Sequence, residues 1–235
     1  MTKARRRVRI PRSIKPGASR SNQEGAKLNC LILASYADEC HGIDLASGAF
    51  VRIVGMERPV TPRPGAYRVV EISIGRNDEP FDPTRPELVV AGGVPRMLGD
   101  AKGRRVRHLF AQLETRDHLG ATVVSTRGPS IAYVDLDGTT PSIAMIRAKT
   151  AELEVAIAGT TTMLGITFGG VRQHLPVVDQ HVIHAASRAA PRPLVGARLV
   201  RELGYEPSHV LVGLGDVREG HVRKVVFALL ARARR

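Results

Sequence analysis

Three groups of residues in this 235-residue chain have the types and spacing to do chemistry. His174, Asp179, His181 and His184 bring imidazoles and a carboxylate close together in sequence, and these are ligand types for zinc. Their spacing is loose and no Cys joins them, so polar residues following a strand are the simpler account. Asp38-Glu39 and Asp135-x-Asp137 are paired carboxylates of the kind used in hydrolysis. Gly138 follows the second pair, which makes turn formation the simpler account there. Cys30, Cys40 and His41 do not form a zinc motif. Residues 165–170 lack the Lys-Ser/Thr ending and the following helix of a phosphate loop. Ser, His and Asp are all present, but no elbow motif sets one of them as a nucleophile. The sequence predicts no catalytic residue, no cofactor and no metal.

The third group is cationic. Residues 1–27 hold nine Lys/Arg against one acid, Glu24, and residues 218–235 hold six against Glu219. Residues 28–217 balance, although the chain as a whole carries +13. Basic ends on a neutral body attract polyanions, because each neutralised phosphate releases counterions. Arg5, Arg6, Arg7, Arg9 and Arg12 are the densest part of the first arm. The arm has nothing apolar to bury and is expected to order only on a partner. A mitochondrial transit peptide is also Arg-rich and acid-poor, but Pro11, Pro16 and the lack of an apolar helical face weaken that reading. A solvated tail is the remaining alternative. Inside the neutral body, Arg96, Lys102, Arg104, Arg105 and Arg107 form one basic cluster opposed only by Asp100. It is either a solvated helix face or a phosphate-contacting ridge.

Arg52 lies between apolar residues of one strand-like run. Its planar guanidinium can stack on a base or bridge phosphates, or it can pair with an acid such as Glu71. Single strands are gripped by basic grooves and by aromatic platforms. The platforms near predicted strands are Tyr36, Phe50, Tyr67, Tyr133 and Phe168, most of which read as core. Aromatics are only 4% of the chain and Trp is absent, which favours backbone or duplex contacts over base reading.

These residues need elements to position them. Apolar residues make up 43% of the chain, enough for a core, and no apolar run nears the ~20 residues of a membrane span. The basic N-terminus has no apolar segment behind it, unlike a secretory signal. Two cysteines are too few for a disulfide framework, which predicts a reducing, cytoplasmic setting. Strands are predicted over 28–36, 50–54, 67–74 and 87–91, with a turn around Gly48. Residues 104–115 carry Val106, Leu109, Phe110 and Leu113 at helical spacing. Strands resume over 130–135, 152–158, 161–168 and 171–178, with Leu153, Val155 and Ile157 turned inward. A helix over 194–203 ends at Gly204, and strands over 209–214 and 221–230 close the chain. This count predicts a mainly β protein of two tandem small barrels. The expected division is a basic arm 1–27, a barrel 28–93, a helical connector 94–129, a barrel 130–230 and a basic tail 231–235.

Three stretches are similar to the bacterial dual OB-fold domain family, which has two OB-like barrels in tandem. They are 31–35 with Cys40-His-Gly-Ile-Asp and Phe50-Val-Arg-Ile-Val, then Ile166-Thr-Phe with Leu175-Pro-Val-Val-Asp, then Leu211-Val-Gly-Leu-Gly-Asp with His221-Val-Arg-Lys-Val-Val. Phe50 stands where that family has Trp, and Ile53 where it has Pro. The resemblance implies nucleic-acid binding. Residues and resemblance together predict a non-enzymatic DNA- or RNA-binding protein of low sequence specificity. The alternatives are an adaptor subunit of a larger DNA- or RNA-processing or defence complex and, last, a nuclease using Asp135 or Asp179. No membrane partner is expected.

Overall fold

The run Cys30 to Ala34 has no polar face, so a strand built from it must be covered on both sides. In a computed structural model of the chain all five residues are buried, in the middle of a sheet. The structure describes residues 7–8, 24–57, 60, 62–78, 80–116, 122–125, 128–168 and 170–233. The protein is mainly β. It divides into two units, residues 1–81, 87–111 and 233–235, and residues 82–86 and 112–232.

In the first unit the strands are β1 (Arg7–Val8), β2 (Lys27–Tyr36), β3 (Glu39–Asp44), β4 (Phe50–Val54), β5 (Arg68–Ser73), β6 (Leu88–Val90) and β7 (Arg96–Ala101). They form one sheet in the order β1-β7-β5-β2-β3-β4-β6. β2, β3 and β4 make an antiparallel meander, β6 joins β4 in parallel, and β5 runs antiparallel to β2. The sheet curls far enough for the ends of β5 and β6 to meet, through an Ile74–Ala91 bridge and the bonds from Gly75 N to Val90 O and Gly92 N to Ser73 O, each 2.8 Å. A Cβ on Gly75 would lie 3.1 Å from the Gly92 backbone, so two bare backbones are what let this seam close. The core inside the curl is Cys30, Ile32, Val51, Ile53, Val70, Ile72 and Val89, among others. Helix α1 (Gly103–Arg116) follows β7 and runs from the first unit into the second. It buries Val106, Leu109, Phe110 and Leu113, and Phe110 meets Tyr67 edge to face at 5.3 Å.

The second unit contains α2 (Thr122–Ser125), β8 (Ser130–Ala132), β9 (Ile143–Arg147), β10 (Glu154–Ala158), β11 (Thr161–Phe168), β12 (Val171–Pro176), α3 (Gln180–Ala189), β13 (Leu194–Val195), α4 (Gly196–Leu203), β14 (Pro207–Arg218) and β15 (His221–Ala231). Two four-stranded sheets, β12-β11-β10-β13 and β8-β15-β14-β9, are joined by a parallel bridge from Val177 to Val226. Val155, Leu164, Ile166, Leu175, Val210, Val212, Val222 and Val226 fill the space between them, with Val182, Ala185, Leu199 and Leu203 from α3 and α4.

Several expectations are corrected. Residues 39–44, outside the strands expected over 28–36 and 50–54, are a full strand. Residues 96–101, read as the start of a helical connector, are a strand of the first sheet. Tyr133–Asp135 is a turn of 3-10 helix rather than the end of a strand. α3 was not anticipated, and the helix expected from Leu194 starts only at Gly196, because Leu194 and Val195 pair with Val155 and Glu154. Ile157, expected inward, is exposed. Gly204 caps α4 as expected, with φ +73° and its N–H on Val200 O at 2.9 Å.

Candidate nucleic-acid interface

β7 is flanked by β5 on one side and by β1 on the other. The β1 pairing is parallel, with Arg7 opposite Asp100 and Val8 opposite Ala101. This register sets Arg7 and Val8 beside the end of the strand that opens with Arg96 and leads, at Lys102, into α1. Arg5, Arg6, Arg9 and Arg12 flank β1 in sequence and lie outside the described residues; Arg7 is described by its backbone alone. Thus 87 residues of intervening chain, 9–95, separate β1 from the strand it joins at the sheet edge.

The first turn of α1 contains no acid. Lys102 and Arg104 are exposed, and neither forms an ion pair among the described residues. Cations here oppose the helix macrodipole, at about 0.3–1 kcal/mol each for exposed groups. A sequence selected for helix stability alone would place Asp or Glu in this turn, so the local field favours an anion. The other ridge residues are engaged elsewhere. Arg96 is exposed, but its Nε and Nη2 donate to Glu71 Oε1 and Oε2 at 3.0 and 2.9 Å. Lys27 Nζ adds a third contact to Glu71 at 3.3 Å. Hydrogen bonding by Arg96, then by Lys27, holds the Glu71 carboxyl below its ordinary range. Arg105 and Arg107 are half-buried. Arg107 Nη1 donates to the Ala233 carbonyl at 2.8 Å and so ties α1 to the end of the chain.

Arg52 is placed inside the unit, only 2% exposed. Its Nε lies 3.1 Å from Glu87 Oε1 and its Nη1 3.8 Å from Glu39 Oε2; Glu71, the acid suggested by sequence, is not its partner. His41 faces Arg52 across the β3–β4 pair, with Nε2 3.4 Å from Glu39 Oε2. Burial pulls the His41 pKa down despite the neighbouring Glu39. These four side chains form a buried ionic cluster. A guanidinium enclosed in this way holds strands together and is not presented to a phosphate.

Asp137, Asp179 and His181 have structural partners. Asp137 accepts from Thr139 N, Thr140 N and Thr140 Oγ1 at 2.9, 3.0 and 2.8 Å. These bonds, the Thr140 amide foremost, pull its carboxyl down to about 2. Asp179 caps α3 by accepting from His181 N at 2.9 Å, and its other oxygen accepts from Leu229 N at 3.3 Å. Burial nonetheless pushes its pKa up. His181 Nε2 lies 2.9 Å from Leu203 O, with its ring stacked on Tyr205. Among the described residues no three His, Cys, Asp or Glu side chains gather to hold a metal ion. No helix among them is long and apolar enough to cross a membrane.

Of the aromatic platforms, Phe50, Tyr67 and Phe168 are core, whereas Tyr36 and Tyr133 are partly exposed. The most exposed ring, Phe81 at 70%, escaped the sequence reading because it sits in the Pro80–Pro83 loop outside any strand pattern. Two further residues were missed. Lys224 is fully buried on β15, with Nζ 5.7 Å from the Phe168 ring centroid, and burial pulls its pKa down to about 8. Arg172 lies on the outer face of β12, against Gly165.

No protein-family model matches this chain, and no curated protein matches it.

Proposed function

We propose that this protein binds nucleic acid without catalysing a reaction, gripping phosphates along the edge formed by β1, β7 and the start of α1. The observation that carries the reading is the β1–β7 pairing, which brings the backbone of Arg7–Val8 beside Asp100–Ala101, immediately before Lys102 and Arg104 in the chain. Lys and Arg segments converging on one edge lengthen the track that a phosphate backbone can follow. The absence of acid from the first turn of α1 supports the same reading.

Strand order supports an OB-like reading of each unit, and with it the likeness to dual OB-fold proteins. In the first unit a three-strand meander is followed by parallel β4–β6 pairing, a β2–β5 pair and the seam from Ile74 to Ala91. In the second, β10-β11-β12 is the meander and the Val177–Val226 bridge is parallel. There α3 intervenes between the meander and β14, and β14 pairs with both β9 and β15. Five-stranded barrels of this order are common oligonucleotide binders. That link is an analogy of fold, and the basic edge is the argument from this chain's own residues.

Fluorescence anisotropy with single- and double-stranded DNA and RNA, at two salt concentrations, tests the proposal. The full chain should bind with a steep salt dependence, and removing residues 1–23 should lower affinity and flatten the slope. Failure of the full chain to bind any of the four overturns the reading. An unchanged slope after the deletion removes the arm from it.

A further inference from the structure

Resting on that reading, we infer that Arg172 is a stacking platform for one unpaired nucleobase on the outer face of β10–β12. Gly165 lies mid-strand in β11, opposite His174 of β12 and Glu154 of β10. Its backbone does not need glycine, because it is not among the residues with positive φ. The space a side chain would take is occupied by Arg172. A Cβ there would sit 2.7 Å from Arg172 Nη2, 3.2 Å from Cζ and 3.3 Å from Nε. All three guanidinium atoms are within close reach, so the group lies across the bare glycine backbone.

Two bonds fix it in that position. Arg172 Nη1 donates to the Glu152 carbonyl at 2.7 Å, and Nη2 donates to Glu154 Oε2 at 3.1 Å. The side chain remains 38% exposed. Thr167, opposite Arg172, and His174, opposite Gly165, are exposed on the same side of the sheet. The result is a planar cation laid on one surface, with Thr167 and His174 exposed beside it.

The chemistry selects a base over a phosphate. Glu154 already balances the Arg172 charge, and a second anion would meet that carboxylate. The π-face of a guanidinium stays available for stacking when its edge is hydrogen-bonded. Bases stack on such planes with little regard to sequence. Paired bases inside a duplex cannot reach the platform, so it takes single-stranded nucleic acid.

The test uses the full chain with a single-stranded oligonucleotide carrying one 2-aminopurine, a matched strand with an abasic site in its place, and a matched duplex. Arg172→Lys keeps the charge and removes the plane. Gly165→Ala pushes the guanidinium off its seat. Each should weaken single-strand binding roughly 5- to 150-fold, the range for loss of one stacked base, and should abolish the 2-aminopurine quenching. Binding of the abasic strand and of the duplex should change less than twofold. Unchanged single-strand affinity and quenching in Arg172→Lys overturns the platform, and so does an equal loss on duplex and abasic strand. A wild-type chain that binds none of the three ligands overturns the nucleic-acid reading itself.

Discussion

Arg52 and Glu87 are joined twice. The Arg52 amide donates to the Glu87 carbonyl at 3.0 Å, and the Arg52 Nε lies 3.1 Å from the Glu87 carboxylate, with both side chains buried. Backbone and side chain together lock β4 to the start of β6. Removing one member of a buried pair strands the other charge, at about 3–5 kcal/mol. Arg52→Met should lower the unfolding free energy by that amount in urea titrations. Adding Glu87→Gln should recover part of the loss, because a neutral amide replaces the stranded carboxylate. Costs that simply add would show that the two side chains are not coupled. Nucleic-acid affinity per folded molecule should not change with either variant.

The start of α1 sets stability against binding. Lys102→Glu with Arg104→Glu complements the macrodipole and should stabilise the protein by about 0.3–1 kcal/mol per site. The same variant should bind nucleic acid more weakly and with a shallower salt slope, each lost phosphate contact reducing the slope by roughly one. A fall in both stability and affinity would mean that these cations are structural.

Lys224 makes the second unit sensitive to alkaline pH, and the sign is unusual. The folded pKa is pulled down to about 8 from an ordinary value of 10.5. Between those values the unfolded chain holds the extra proton, so the Lys224 contribution to stability rises with pH. The penalty for burying the ammonium is fully present below about pH 8 and gone above about pH 10.5. Lys224→Met should therefore raise the melting temperature at pH 7, with an advantage that shrinks steadily toward pH 10. An advantage constant with pH would mean that the gain comes from packing alone.

Cys30 and Cys40 are fully buried, and burial pushes both thiols up, Cys30 well above its usual range. Thiolates are the reactive form. Iodoacetamide at pH 8 should leave both unlabelled in the native protein and label both in urea. Labelling of Cys40 in the native state would show that β3 opens locally.

Strands marked by an unbroken apolar run or by clean alternation were legible in the sequence; elements whose inward residues are polar or small were not. β5 was read correctly in its Val70-x-Ile72-x-Ile74 row, yet Tyr67 and Val69 on the other row are buried as well. β3 escaped because its residues from Cys40 to Asp44 are all buried, charged and apolar alike, and no alternation survives. α3 escaped because its inward row is Val182, Ala185, Ala186 and Ala189, and alanine carries almost no hydrophobic signal. The basic ridge was visible as composition, but its convergence with the arm depends on a parallel pairing that no local pattern announces. Arg223 and Lys224 are successive strand residues that point to opposite faces, so one of two cations had to turn inward. Sequence could not say which, because only the packing around Phe168 decides it.

The β1–β7 pairing also makes the first residues' hold on the sheet intramolecular. β1 is covalently joined to β2 through the chain between Val8 and Lys27, and it pairs with β7 over Arg7 and Val8. A single proteolytic cut between Val8 and Lys27 would turn that pairing from a contact within one molecule into a contact between two, held by two residue pairs and lost on dilution.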